Sequence, residues 1–450
     1  MTGAERAAAR VYEELLTRVG EATPRPRIEP VRRLAELAGM PQLSYPVIQV
    51  AGTNGKTSTS RAIESLLRAH GLHTGLFTSP HLVDFSERFQ LDGSPVGGNA
   101  LADAWDELRL PLEVLDAQLE SEGQGSITFF EALAVLAFAV FADAPVDVAV
   151  IEVGMGGEWD ATNIADAQIA VFTPIDLDHT AQLGPDIEAI ARTKAGIIKQ
   201  GSTVVSAQQA PEAITELVEA AEQEGARFFI AGRDFSIVED RLAVGGRQLE
   251  LRGLHGHDYS PVFVPLYGGH QTQNVALAVA AVEAFFGAER PLPEEVLEEG
   301  LGQLTSPGRL QLIGNDPIVY VDAAHNPHGA EALARAVTES FAFTELALVV
   351  GAFADKDAVG VLEALAPIAD ALFLTVVDSP RSLRIDGLEA LAGECVRDSI
   401  VEVFASLPDA LEAARAWARQ LDGRAVLVAG SVVLAGEAIQ FSRSEGWGTA

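Results

Sequence analysis

The stretch "VIQVAGTNGKTSTSRAIESLL", Val47 to Leu67, constrains the chain more than any other. A short, mostly apolar run enters a Gly-rich turn, a lysine follows, and hydroxyl side chains open a helical pattern. Strand, glycine turn, Lys, hydroxyl, helix is the order of a P-loop. Backbone N–H groups from Gly52 through Thr53, Asn54, Gly55 and Lys56 to Thr57 form a cradle for phosphate oxygens. The helix N-terminus adds its positive end. Lys56 offers a cation to the β/γ-phosphates, and the hydroxyl of Thr57 or Ser58 reaches a phosphate-bound Mg²⁺. The strict pattern has glycine at position 50, where this chain has Val50, so the turn is shorter than the general motif.

Ala-rich helical patterns alternate with short β-branched runs through most of the chain. "VIQV", "VDVAVIEV", "AQIAVFT" and "STVVSA" read as buried strands, so the fold class is α/β with a mostly parallel sheet. Between Phe235 and Tyr267 polar and apolar residues alternate around Gly245-Gly246, which predicts a small antiparallel excursion. A break rich in Gly, Pro, Ser and Asn, Gln303 to Pro317, places a domain boundary near Thr305. The expected domains are residues 1–304 and 305–450. After the break the rhythm restarts with "PIVYVD", "ELALVVGAF", "DALFLTVV", "SIVEVF" and "RAVLVAG", which predicts a smaller, doubly wound, Rossmann-like α/β domain.

The 450 residues hold 31 Lys plus Arg against 64 Asp plus Glu, a formal charge of -33. Such a chain is poorly suited to wrapping nucleic acid or lying on an anionic membrane. An anionic ligand must be held by local cations, helix N-termini or metal. Cys395 is the only cysteine, which rules out an internal disulfide and a multi-cysteine metal site. The N-terminus has no apolar signal core, and the apolar run Ala132 to Ala142 is too short to span a bilayer. The expectation is a cytoplasmic protein without nucleic-acid or membrane partners.

A nucleotide site needs a metal-binding acid on a neighbouring strand. "DVAVIEVGMGG" offers Glu152 at a strand's carboxyl end, where open α/β sheets bind ligands. "PIDLDHTAQLG" adds Asp176, Asp178 and His179 after another strand. Beside Glu152 and a P-loop, His179 reads as a metal ligand.

The motifs "GTNGKTS", "TSPHL", "TFFE", "EVGMGGEWDATN", "DHTAQLG", "KAGIIK", "GGHQTQN", "SPGRLQ", "DAAHNPHG" and "DKD" occur in this order. Together they resemble folylpolyglutamate synthase/dihydrofolate synthase, of the Mur ligase superfamily, over about Pro46 to Asp357. The resemblance implies a P-loop ATPase domain, a C-terminal Rossmann-like glutamate ligase domain, and an active site in the cleft. It implies ATP-dependent addition of L-glutamate to a folate, to dihydropteroate, or to both, through an acyl phosphate. It further implies ATP and Mg²⁺ as cofactors, with two metal sites; any need for K⁺ or another monovalent cation stays open. The implied partners are the small-molecule substrates alone, with the enzyme a monomer.

By the same resemblance Ser79, Glu152 and His179 hold Mg²⁺. Asn274, Arg309 and Asp322 join the P-loop residues Asn54, Gly55, Lys56, Thr57 and Ser58 in contacting ATP. Thr128, Phe129, Phe130 and Glu131, with Trp159, Asp160 and Ala161, contact the pterin-bearing substrate, on which Phe129 and Phe130 could stack. His325 and Ser431 hold the incoming glutamate, and Lys194 is carboxylated to support a second metal. Three residues depart from the family pattern: Thr57 and Thr193, where the family usually has Gly and Glu, and Glu158, where it usually has Arg. Glu158 either points to solvent beside a carboxylated Lys194, the reading preferred here, or pairs with Arg192 or Lys194. Two alternatives stay open: a muramyl amino-acid ligase of the same superfamily, which "GKT" favours, and a P-loop ATPase without ligation.

Overall fold

The computed structural model describes residues 2–448 except 22, 255 and 396–399. The chain divides into two compact units. One comprises Met1–Arg241, Gln248–Val264 and Thr272–Leu304; the other comprises Leu242–Arg247, Pro265–Gln271 and Thr305–Ala450.

The first unit is built on an eight-stranded sheet. Its spatial order is Ser94–Pro95, Phe89–Leu91, Thr74–Phe77, Val148–Glu152, Val47–Ala51, Ile169–Phe172, Thr203–Ser206 and Arg227–Ile230. The six strands from Thr74–Phe77 onward run parallel, and the first two add an antiparallel edge. The central strands are buried along their whole length, which is why their sequences read as mostly apolar runs. Helix Phe129–Asp143 is apolar on nearly every side. It is buried with helices Gly3–Leu16 and Gly98–Ser121 in one core cluster that includes Phe77, Ala149 and Ile151. A second cluster packs Ile190, Ala191, Ala213 and Leu217 against Ala170, Phe172 and Val204. The strand carrying Val50 lies between those of Glu152 and Val171, so three strand ends deliver the P-loop, Glu152 and the loop to His179 side by side.

The alternating segment forms a three-stranded sheet in the order Val262–Val264, Gly246–Arg252, Ser236–Ala243. The second unit holds a six-stranded sheet ordered Gln311–Asn315, Ile318–Val321, Arg424–Ala429, Glu345–Val350, Ala371–Thr375, Ile400–Phe404. All pairs are parallel except the first. That antiparallel strand, Gln311–Asn315, lies inside the segment the composition marked as a break. Its pairing shifts register between Leu312 and Gly314, and such an irregular edge accommodates glycine and asparagine. On one face of this sheet a core cluster includes Leu333, Leu348, Leu372 and Leu427. No described helix is long and apolar enough to cross a membrane.

Candidate active site

Gly52 ends the central strand with φ 144°, and a Cβ there would lie 1.9 Å from the Thr173 hydroxyl. Only glycine lets the chain turn so close to its neighbour strand. Thr53 then ties the loop to the next one, because its hydroxyl donates to the Asp176 carbonyl at 2.9 Å and accepts from Asp176 N at 3.0 Å. Helix Lys56–Ala69 starts directly after Gly55. Lys56 Nζ donates to the carbonyls of Gly52 and Thr53 at 3.2 and 3.1 Å, which holds the ammonium over the loop.

Glu152 is 1% exposed, a carboxylate that burial would penalise heavily without donors. The Thr57 hydroxyl lies 2.9 and 3.0 Å from its two oxygens, and Ser79 N donates to Oε2 at 3.2 Å. Thr57, Ser79 and Glu152 therefore meet at the mouth of the phosphate cradle. Ser58 is buried in the same first helical turn. Asn274 packs against the loop from helix Gly269–Phe285; a Cβ on Gly55 would sit 2.5 Å from its Oδ1.

Lys194 is 5% exposed and donates to the same Gly52 carbonyl at 2.8 Å. Burial first, then the Lys56 charge, lowers its pKa to about 7. The segments "GMGGEW" and "TKAG" interlock around it. Glu158 N donates to the Thr193 carbonyl at 2.8 Å, and a Cβ on Gly157 would fall 2.6 Å from the Lys194 carbonyl. The Glu158 side chain is exposed. Arg192 pairs with Glu188 and Glu216, and Lys194 bonds backbone. Among the described residues no hydrogen bond or ion pair joins the Glu158 side chain to Arg192 or Lys194.

His179 takes a left-handed conformation, φ 51°, and its Nε2 lies 3.8 Å from the Asp178 carboxylate. Among the described residues no three His, Cys, Asp or Glu side chains converge as a metal-binding group. The oxygen groups that meet at the cradle are instead the Glu152 carboxylate and the Thr57 hydroxyl, with Ser79 beside them, a set of hard oxygen ligands that fits Mg²⁺.

"TFFE" does two jobs the resemblance alone did not suggest. Thr128 and Glu131 form a reciprocal capping box at the start of helix Phe129–Asp143. The buried Glu131 carboxylate also takes both ends of Arg27, Nε at 2.7 Å and Nη2 at 2.9 Å. Phe129 is 3% exposed and packs edge-on to Tyr12, so it belongs to the core. Phe130 and Trp159 are only partly buried and keep aromatic surface accessible. Asp160 is buried and caps the turn Ala161–Ile164, accepting from Met155 N and Thr162 N, each at 2.9 Å. Ala161 is buried in that turn.

In the second unit Asp322 follows a strand end, is buried, and accepts from Leu310 N and Ala324 N at 2.8 Å each. Burial pushes its carboxyl up, while Arg309 and these two donors hold it down. Arg309 is half-buried and donates to the Gly308 carbonyl. His325 Nδ1 lies 3.0 Å from the Ala323 carbonyl, an atom that only accepts, so Nδ1 carries the hydrogen of that contact. Ser431 is fully buried and caps helix Val432–Ser444 through Leu434 N at 3.0 Å.

Residues 50–282 match the Mur ligase middle domain, and residues 308–432 match the Mur ligase glutamate ligase domain. A dihydrofolate synthase/folylpolyglutamate synthase of Mycobacterium tuberculosis is 40% identical over 441 residues, covering 92% of this chain and 90% of that one. Its Escherichia coli counterpart is 33% identical over 404 residues, covering 90% and 88%. A solved Mycobacterium tuberculosis folylpolyglutamate synthase complexed with ADP matches with TM-score 0.92 and 39% identity, over 97% of this chain and 98% of that one. Escherichia coli FolC in complex with DHPP and ADP matches with TM-score 0.84 and 30% identity, over 98% of each chain. Fold, phosphate cradle and domain matches together define a ligase of the Mur type. Within that class the chain belongs to the dihydrofolate synthase/folylpolyglutamate synthase family.

Proposed function

We propose that this chain uses ATP to join L-glutamate to a pteroyl acid, either dihydropteroate or a folate. The observation that carries the reading is the phosphate cradle itself. Two lysines meet at one of its carbonyls and a buried glutamate lies at its mouth. Two anions must approach there, a triphosphate and the acceptor carboxylate. The acceptor oxygen bonds to the γ-phosphorus as the bond to the leaving ADP oxygen breaks. The neutral amine of glutamate then attacks the acyl phosphate carbon; phosphate leaves from the tetrahedral intermediate, and the nitrogen gives up one proton to solvent or to the departing phosphate as the amide forms.

Lys56 and the loop N–H groups stabilise the charge that develops on the transferring phosphoryl group. Thr57 or Ser58, with Ser79, Glu152 and His179, would hold Mg²⁺, which screens the repulsion between the two anions when bound. Lys194, its pKa lowered to about 7, carries a large neutral fraction near neutral pH. That amine can add CO₂ and lose a proton, giving the carbamate that would support a second cation. Asn274, Arg309 and Asp322 are assigned to the nucleotide, and His325 and Ser431 to the incoming glutamate. Of the three aromatic residues assigned to the pterin, Phe130 and Trp159 have surface to offer it, and Phe129 does not. The enzyme is read as a cytoplasmic monomer.

The test is stoichiometric. ADP release should require both L-glutamate and the pteroyl acid, and mass spectrometry should show product lengthened by one glutamyl residue. Dihydropteroate and tetrahydrofolate offered separately decide between one activity and both. ADP release that needs neither substrate would leave only a P-loop ATPase. Turnover of a muramyl precursor in their place would move the chain to the cell-wall branch of the superfamily.

A further inference from the structure

Strand Val47–Ala51 delivers the P-loop, and at its centre stands Gln49, an amide that is 0% exposed. Burying an amide inside a parallel sheet costs free energy unless hydrogen bonds replace water. Half of that requirement is met: Gln49 Nε2 donates to Thr162 Oγ1 at 2.9 Å. Gln49 Oε1 is buried with no hydrogen-bond partner among the described residues.

The direction of this bond follows from its neighbours. The Thr162 hydroxyl has one proton, and it points to Asp160 Oδ1 in a short hydrogen bond. The Asp160 carboxyl oxygens accept from Met155 N, Thr162 N and the Thr162 hydroxyl, so with its proton committed there the Thr162 oxygen accepts from Gln49. The amide therefore presents its NH₂ group and leaves its carbonyl orphaned. A methionine would fill the same volume without stranding an acceptor. For packing alone the amide is the worse residue, and what it supplies is the donor.

Beyond Thr162, Asp160 accepts from Met155 N and Thr162 N and closes the loop that carries Trp159. The far side of that loop is braced separately: Asn163 Nδ2 donates to the carbonyls of Glu158 and Gly196 at 3.0 and 3.1 Å. We infer that Gln49 is a positioning residue for the pteroyl acceptor, fixing the Trp159 loop through Thr162 and Asp160 and tying that loop to the strand that carries the phosphate cradle. The inference rests on the assignment of Trp159 to the acceptor made above. Polarisation along the chain of donors strengthens the hold on Asp160, whose carboxyl burial pushes up and these donors hold down.

Gln49→Met removes the donor and keeps the length of the side chain. The KM for the pteroyl acid should rise about threefold to tenfold, the worth of one hydrogen bond, with kcat and the KM for ATP within about twofold of wild type. Tm should not fall, because the stranded acceptor is gone. Thr162→Val breaks the same chain one link later and should reproduce the shift. Unchanged acceptor KM in both variants overturns the inference. So does a rise of all KM values together with a lowered Tm, which marks a purely structural amide. Trp159→Ala is measured alongside. If it leaves the acceptor KM unchanged, the assignment of that loop to the acceptor fails, and the inference with it. If it raises the KM while Gln49→Met and Thr162→Val do not, only the positioning role is lost.

Discussion

Two lysines share one carbonyl oxygen, and the shared contact sets different tasks for them. Lys56 Nζ lies 3.2 Å and Lys194 Nζ 2.8 Å from Gly52 O. The Lys56 ammonium sits in the mouth of the cradle, so it is the one to meet phosphate. Lys56→Ala should lower turnover by about 10²-fold or more while the far-UV circular dichroism stays that of wild type; wild-type turnover in the folded variant would remove the P-loop from the mechanism. Lys194 is the buried partner, and its proton is the one given up. Its folded pKa of about 7 lies below its ordinary value of 10.5. Between those values the unfolded chain binds a proton that the folded chain releases, so this residue makes stability rise with pH across that window. Below the folded pKa both states are protonated and the cost of the buried charge is felt in full. Denaturant unfolding from about pH 7 toward about pH 9 should show wild type gaining stability relative to Lys194→Met. A difference that is flat with pH would mean that Lys194 keeps its proton in the fold.

Helix Gly269–Phe285 carries Asn274 against the P-loop, and the three-stranded excursion grips it at both ends. Near its start the Thr272 hydroxyl donates to Asp240 Oδ2 at 3.1 Å. Near its end Glu283, 1% exposed, accepts from the Tyr259 hydroxyl and from Leu254 N at 2.8 Å. The Tyr259 oxygen in turn accepts from Leu292 N at 2.9 Å. Tyr259→Phe deprives Glu283 of one donor and leaves the Leu292 N–H unpaired. It should cost about 1–3 kcal/mol of unfolding free energy, read by chemical denaturation, and raise the KM for ATP more than that for glutamate. The excursion was legible in the alternating pattern around Gly245, because a period of two is a local signal. Its grip was not, since Tyr259 and Glu283 are 24 residues apart and nothing local pairs them. The same contrast runs through the site. The P-loop and Glu152 were readable from strand, turn and helix in series. Edge strand Gln311–Asn315 was hidden because glycine and asparagine at a shifted register look like a linker. "TFFE" contained its own signal, Thr-x-x-Glu before an apolar run, which marks a capping box. Gln49 gave none, since one polar residue in a strand says nothing about what it faces.

The whole molecule carries 64 acidic against 31 basic side chains, for a formal charge of -33. Its nucleotide and both carboxylate substrates are anions, so the long-range field opposes every encounter that the site favours at contact. The two contributions have different ranges. Lys56 and the loop N–H groups act within a few bond lengths of the phosphates, where salt screens little. The field of the surface acids acts over longer distances, and salt cuts it off beyond about one Debye length, about 10 Å at 0.1 M and about 3 Å at 1 M. Salt should therefore remove the repulsion first. Raising KCl at constant free Mg²⁺ should increase the association rate constant of a fluorescent ATP analogue by roughly threefold to tenfold, with a much smaller change in its dissociation rate. A basic nucleotide-binding protein would show the opposite sign. Stopped-flow measurement at low and high KCl separates the cases. A rate that falls with salt would mean that the positive potential of the cradle reaches beyond the surface acids and steers the nucleotide in.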